Sequence, residues 1–293
     1  MKNILVPTDF SKNSFYGLEF SANLARRSGA KIHLFNAALT STYYYTSDPL
    51  VISPPAAVMV ESINENLKRA SMKKLEKIQK SRLLKGLKVN LNCETAFSVY
   101  REIIEYSKRI RSDLIVMGTK GESNLKDIFL GSTAERVVRF SEKPVLVIPN
   151  KIKNLNPKLV VFASDFTAEA FGIFPFVWEF AKIFGSKVDL LKINTTDQFR
   201  RTRDDSKRMS KFNKKFGSKF RAVIYNDYMK EEGILNYSDQ IEADLIAIGT
   251  HGKKGLARFF SSDVSEGVVR LSHKPILVVN LKKFKRKRDI LKV

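Results

Sequence analysis

Short apolar runs alternate along the chain with longer segments in which apolar residues recur every three or four positions. The first run, Asn3-Ile4-Leu5-Val6-Pro7, reads as a strand buried on both faces. The segment behind it is capped by Ser11 and carries Phe15, Leu18, Ala22 and Ala25 at helical spacing. It predicts a helix through Arg27 that stops at Gly29. A strand over 31–39, a Tyr- and Pro-containing loop over 40–55 and a helix over 56–84 follow. Then come a strand over 87–95, a helix over 99–110, a strand over 113–118, a helix beginning near Ala134, and a strand over 143–148. Strictly alternating strands and helices predict a doubly wound parallel sheet. Ligands in such sheets lie outside the carboxyl ends of the strands, at the point where the strand order reverses.

A polar linker over 151–158 follows, and the pattern then starts again. Val160 to Thr167 echoes Ile4 to Ser11 at an offset of 156, while Ile248 to Gly252 echoes Met117 to Gly121 at an offset of 131. The second copy is therefore 25 residues shorter, and the loss falls between its second and third strands. The chain divides into a domain over 1–150 and a trimmed copy over 151–293. The second copy has its own peculiarities. Pro175 is expected to kink the helix over 168–184 or reset its start. The rings of Phe171, Phe174, Phe176, Trp178, Phe180 and Phe184 exceed one core stripe, so some should pack on the other half or on another chain.

The candidate chemistry sits in Gly118-Thr119-Lys120-Gly121, followed after nine residues by Gly131-Ser132-Thr133. A glycine loop that leaves a strand and enters a helix lets the backbone approach an anion closely. Unpaired amides and the helix dipole then attract phosphate. Ser132 or Thr133 is expected to cap the helix, and Lys120 and Lys126 add mobile positive charge. Asp9 leaves the first strand into the same crevice, where it either accepts hydrogen bonds from a sugar or base or merely shapes a turn. In the second copy Ser262-Asp263 replaces Gly131-Ser132. A side chain there crowds the turn, and a carboxylate occupies the positive end of the helix, so a structural second copy with no nucleotide is expected.

Composition narrows the classes. The chain has 293 residues, 43% of them hydrophobic, enough for two cores. A single cysteine, Cys93, excludes an internal disulfide and a cysteine-rich metal centre and suits a reducing cytoplasm. His33, His251 and His273 are too scattered for a ligand set. The first residues enter a strand directly, so no signal peptide is expected, and no apolar stretch reaches membrane-spanning length. The net charge of +22 divides as +9 over 1–150 and +13 over 151–293. Much of the excess lies between Arg200 and Lys219 and in Lys282 to Arg288. Nucleic acid or an anionic surface could bind there, although a solvated helix face and a basic tail account for these runs more simply. Phe199, Phe212, Phe216 and Phe284 accompany the charges, and those at helical spacing are expected in the core.

Three stretches together resemble the universal stress protein family, as a tandem two-domain member. They are Val6-Pro7-Thr8-Asp9-Phe10-Ser11, the Gly-x2-Gly-x9-Gly-Ser motif from Gly118 to Ser132, and Lys143-Pro144-Val145-Leu146-Val147. The resemblance covers nearly the whole chain. It implies two repeated five-stranded α/β domains of the adenine nucleotide alpha-hydrolase-like kind, with flavodoxin-like layers. It also implies ATP, with or without Mg²⁺, as ligand, since many members bind it and others lack the motif. Asp9, next to Thr8, would contact ribose or adenine, and Ala37 would offer backbone to the base. Met117 and Gly118 would line the ribose, and Gly121, Gly131, Ser132 and Thr133 would hold the phosphates. Family members pair fifth strands edge to edge as dimers, so Val145–Ile148 against Ile276–Val279 could pair within one chain, with a homodimer as a further option.

Rival enzyme classes lack their motifs. The Ser-Gly-Gly-x-Asp-Ser loop of ATP-cleaving ligases, the Gly-Lys-Ser/Thr phosphate loop and a Gly-x-Gly-x-x-Gly turn are all missing. Asp9 has no acidic neighbour of the phosphoacceptor kind, and no nucleophile stands beside a base. The expectation is a cytoplasmic, non-catalytic nucleotide binder acting as a sensor or scaffold, with slow ATP hydrolysis left open. The alternative is a binder of nucleic acid or another anionic partner with no nucleotide.

Overall fold

A computed structural model of the chain describes residues 1–40, 54–118, 131–152, 154–250 and 264–280. The first half runs β1 (Asn3–Pro7), α1 (Lys12–Ser28), β2 (Lys31–Leu39), α2 (Pro54–Gln79), β3 (Val89–Ala96), α3 (Val99–Arg109), β4 (Leu114–Gly118), α4 (Ser132–Phe140) and β5 (Val145–Ile148). The second repeats it as β6 (Leu159–Ala163), α5 (Ala170–Phe184), β7 (Lys187–Asn194), α6 (Thr202–Lys215), β8 (Arg221–Asn226), α7 (Lys230–Gln240), β9 (Leu245–Thr250), α8 (Val264–Leu271) and β10 (Ile276–Asn280).

These ten strands form one sheet in the order β3-β2-β1-β4-β5-β10-β9-β6-β7-β8. Within each half every pairing is parallel. At the seam β5 and β10 run antiparallel, with Val145 opposite Val278, Leu146 opposite Leu277 and Val147 opposite Ile276. The expected pairing of fifth strands thus occurs inside the chain and joins two five-stranded halves into a continuous sheet. It leaves no open edge at the centre.

Alternation along each strand splits the core in two. Ile4, Val6, Leu34, Phe162 and Leu190 face α1, α2, α5 and α6. Leu5, Phe35, Val161 and Leu191 face the opposite layer, with α3, α4, α7 and α8. The ring-rich α5 serves both halves. Phe180 and Phe184 meet Phe20 of α1, at 6.4 and 5.6 Å between centroids, while Phe174 packs within its own half on Phe162, Phe212 and Phe220. The expected contact between halves is therefore present.

Local chemistry explains most boundaries. Ser11 accepts from Ser14 N at 3.2 Å and caps α1, and Gly29 closes it with φ +69°, a conformation that favours glycine. Several boundaries differ from expectation, most by one or two residues. α2 ends at Gln79, five residues before the predicted end, because Arg82–Leu84 form a separate 3-10 turn. α5 runs from Ala170 through Pro175, so of the two effects expected of that proline a reset start does not occur. α4 is capped by Gly131, with no side-chain cap bond, and not by the hydroxyls after it.

Candidate functional site

The strand order reverses between β1 and β4, so the crevice lies at their carboxyl ends. There β1 leaves through a tight turn. Phe10 has φ +67°, its amide donates to Thr8 Oγ1 at 3.0 Å, and Thr8 Oγ1 also meets Ser14 Oγ at 3.0 Å. Thr8 is buried, 9% exposed, and its hydroxyl is used within the turn. Asp9 is exposed and accepts from Ser11 N at 3.0 Å through Oδ1. Partial burial pushes its carboxyl up, but bonds from Ser11 and Ser14 outweigh this and hold it below the ordinary 3.8. Asp9 is therefore an anion at neutral pH, oriented by its turn.

On β2, Asn36 Nδ2 donates to Thr8 O at 2.7 Å and ties the turn to the neighbouring strand. Phe35 is the last β2 residue paired with β1, whereas Ala37 still pairs with Glu94 of β3. Thr8 N donates to Phe35 O. Because backbone groups alternate sides along a strand, the N–H and C=O of Ala37 point toward the β1 side, beyond its last paired residue. A donor and an acceptor thus face the crevice.

Met117 is buried, 6% exposed, with its side chain in the core beside Ile115 and Val147, so only its backbone borders the crevice. Gly118 has a packing reason of its own. A Cβ there would lie 2.0 Å from Asn13 O, so the end of β4 must be glycine for the first turn of α1 to cross it. Lys120 and Gly121 lie outside the described residues, as do Ser262, Asp263 and the basic tail. Gly131 has φ −58° and ψ 135°, a conformation open to any residue, so no conformational freedom special to glycine is used there. The first helical bond of α4 is Glu135 N to Gly131 O, leaving the amides of Ser132, Thr133 and Ala134 without an intrahelical acceptor. Ser132 is exposed and Thr133 half-buried.

The second half keeps the turn and changes its surroundings. Phe166 has φ +51° and donates to Ser164 Oγ at 3.0 Å, placing Asp165 as Asp9 is placed. Asp165, however, meets Lys192 Nζ at 2.5 Å and Lys230 Nζ at 3.1 Å. Lys192 is 4% exposed, and its ammonium also donates to Ile193 O at 2.7 Å. Burial raises the Asp165 carboxyl, and the two ammonium groups overcome that and hold it low. By the repeat offsets Lys192 stands for Asn36, Ile193 for Ala37 and Lys230 for Val99. The lysine thus bridges the counterparts of Asp9 and of the Ala37 carbonyl. Both substitutions were visible by aligning the halves, but each reads on its own as one more polar residue.

Another carboxylate pair is structural. Asp113 accepts from the amides of Lys2 and Asn3, and Asp244 from those of Lys158 and Leu159. Each ties the start of one central strand to the next, at the end of the sheet away from the crevice.

A sequence profile of the universal stress protein family matches residues 1–149 and 217–280. Universal stress protein MJ0531 of Methanocaldococcus jannaschii is 34% identical over 147 residues, which are 50% of this chain and 81% of that protein. Universal stress protein MJ0577 of the same organism is 29% identical over 157 residues, 51% of this chain and 96% of that protein. The solved structure of a universal stress protein from Archaeoglobus fulgidus covers 95% of this chain and 98% of its own, with a TM-score of 0.74 at 20% identity. That likeness is one of fold across both halves.

Proposed function

The chain belongs to the universal stress protein family, and from that premise we propose that its first half binds one adenine nucleotide, ATP in the first instance. The observation that carries this reading is the contrast at the two crevices. The first presents a lone carboxylate, Asp9, and the backbone of Ala37, while the second fills the same places with Lys192. The base edge pairs with the N–H and C=O of Ala37, the ribose hydroxyls donate to Asp9, and the phosphates lie at the free amides of the start of α4 with the glycine loop. Mg²⁺ travels with the triphosphate.

The protein acts as a stress-response sensor or scaffold in the cytoplasm, and its response is binding, without dedicated catalysis. No helix among the described residues is long and apolar enough to cross a membrane.

Calorimetric titration of the full chain with Mg-ATP should give one site per chain, and denatured protein should release an adenine nucleotide. Gly131→Val should abolish the binding by filling the space over the phosphates. Two equivalent sites would overturn the assignment to one half. No binding together with no released nucleotide would overturn the reading altogether.

A further inference from the structure

The trimmed copy opens the outer edge of its sheet. In the first half the 26-residue α2 lies over β3, where Leu91 is half-buried and Cys93 buried. In the second half the 14-residue α6 leaves their counterparts, Ala222 exposed and Ile224 half-buried. Between α6 and β8 runs a groove of about 550 Å³, floored by Met209, Ala222 and Ile224, with Ser206, Ser210 and Lys214 along its wall. An adjoining hollow shares that wall and adds Lys207 and Lys211. A third, at the amino end of α6, shares Lys207 and adds Phe199, Arg200 and Arg201.

The path is strongly cationic. Nine Lys and Arg stand between Arg200 and Lys219 against two Asp, and all nine are exposed. None of the nine forms an ion pair with any described residue. A solvated helix face ordinarily interleaves acids with its bases, and here Asp204 is the single exposed acid. At the amino end Phe199 stands 69% exposed, whereas Phe212 of the same segment is wholly buried. An unneutralised row of cations binds phosphates irrespective of sequence, serine hydroxyls supply further phosphate donors, and an exposed ring beside arginines is a stacking platform for a base. α6 is about 21 Å long, enough to follow a few nucleotides of one strand. One exposed phenylalanine is too little apolar surface for a membrane.

We propose that the groove along α6 binds single-stranded nucleic acid, its phosphates on the α6 cations and one base stacked on Phe199. This site is separate from the nucleotide crevice and does not depend on it.

The test is fluorescence anisotropy of the full chain with a labelled oligothymidylate of about twelve nucleotides. The triple variant Lys207→Gln, Lys211→Gln, Lys214→Gln should bind roughly a hundredfold more weakly at about 50 mM salt, with a log–log salt slope shallower by about 2. Phe199→Ala should lose roughly tenfold with no change of slope. The same charge change in the tail, Lys282→Gln, Lys283→Gln, Lys285→Gln, should cost far less. Phe199, Lys207, Lys211 and Lys214 are exposed on the folded chain, and unchanged thermal melting and Mg-ATP titration would confirm an intact protein. Loss in the tail variant with none in the α6 variant would overturn the proposal. So would a duplex of equal length that binds more tightly than the single strand. Displacement by polyglutamate at equal concentration, with no effect of Phe199→Ala, would transfer the groove to an acidic protein partner.

Discussion

Asp9 and Asp165 occupy the same place in two copies of one fold, and their neighbours give them opposite fates. Each follows a central strand, and each precedes a phenylalanine at positive φ, Phe10 or Phe166. Asp9 forms no ion pair among the described residues; Ser11 bonds it on its turn, and Asn36 and Val99 stand at the positions that carry lysine in the other half. Asp165 has Lys192 and Lys230. Lys192 holds a carboxylate and a strand carbonyl together, which is the work proposed for the nucleoside in the first half. A buried ion pair gains little stability, because desolvation offsets its attraction. The lysines are better understood as closing a crevice than as strengthening a domain. On the proposed reading, these two substitutions separate a binding copy from a structural one while the backbone frame is retained.

The most severe way to break this contrast is to transplant the closing lysine. Asn36→Lys should place an ammonium between Asp9 and the Ala37 carbonyl and weaken Mg-ATP binding roughly a hundredfold, or about 2.7 kcal/mol. The change also removes the Asn36 bond to Thr8 O, and Asn36→Met controls for that. Methionine has similar reach and no charge, so it should cost much less affinity. Equal losses in the two variants would show that the bond to Thr8 matters and the ammonium does not.

Much of this architecture is legible in the sequence because it depends on patterns that the chain repeats. The apolar runs and their offsets locate the strands, and the seam follows from the resemblance to a family whose members pair their fifth strands. The errors have local causes. Leu83 and Leu84 prolong the apolar periodicity of α2, but the chain turns at Ser81 into a 3-10 turn. Gly131 caps α4 although two hydroxyls follow it. Gly118 reads as part of a ligand motif, yet its contact with Asn13 depends on how α1 crosses β4, which no sequence spacing shows. Lys192 is hidden for a similar reason, since its role depends on Asp165, 27 residues away, and emerges only when the halves are superposed. Lys120, Gly121, Ser262 and Asp263, which the sequence singles out, lie outside the described residues.

The second test enters from the other half. Lys192→Met keeps the apolar stem and deletes the ammonium, leaving Asp165 one-third exposed and paired only with Lys230. Breaking a fully buried pair costs more, but Asp165 retains solvent and a partner, so a loss of about 2 kcal/mol is expected. Its pH dependence has a definite sign. The folded carboxyl is held below the ordinary 3.8, so its contribution is complete above that value and is lost as pH falls through the lower folded value. Urea unfolding should show a constant gap between wild type and variant near neutrality, narrowing below about pH 4. A variant as stable as wild type at pH 7 would mean that the pair closes the crevice without supporting the fold.

The smallest expected effect contrasts Asp165 with a carboxylate of the same half that has no hydrogen-bond partner among the described residues. Asp205 is 2% exposed, and neither of its oxygens has a hydrogen-bond partner among the described residues. It lies on the buried stripe of α6 with Met209 and Phe212, where a packed helix normally places an apolar residue. An unsatisfied buried polar group costs about 1–3 kcal/mol. The first turn of a helix returns roughly 0.3–1 kcal/mol of that to an acidic side chain. The balance favours replacement, so Asp205→Leu should raise unfolding stability by about 1 kcal/mol, read from the urea midpoint at unchanged slope. Asp205→Asn, which keeps an unsatisfied polar group and loses the charge, should bring no gain. Were both variants to lose more than about 1 kcal/mol, the carboxylate would have to be working in solution as a counter-ion for the α6 cations. The uncompensated charge of that helix, on which the nucleic-acid groove depends, would then be smaller than its sequence implies.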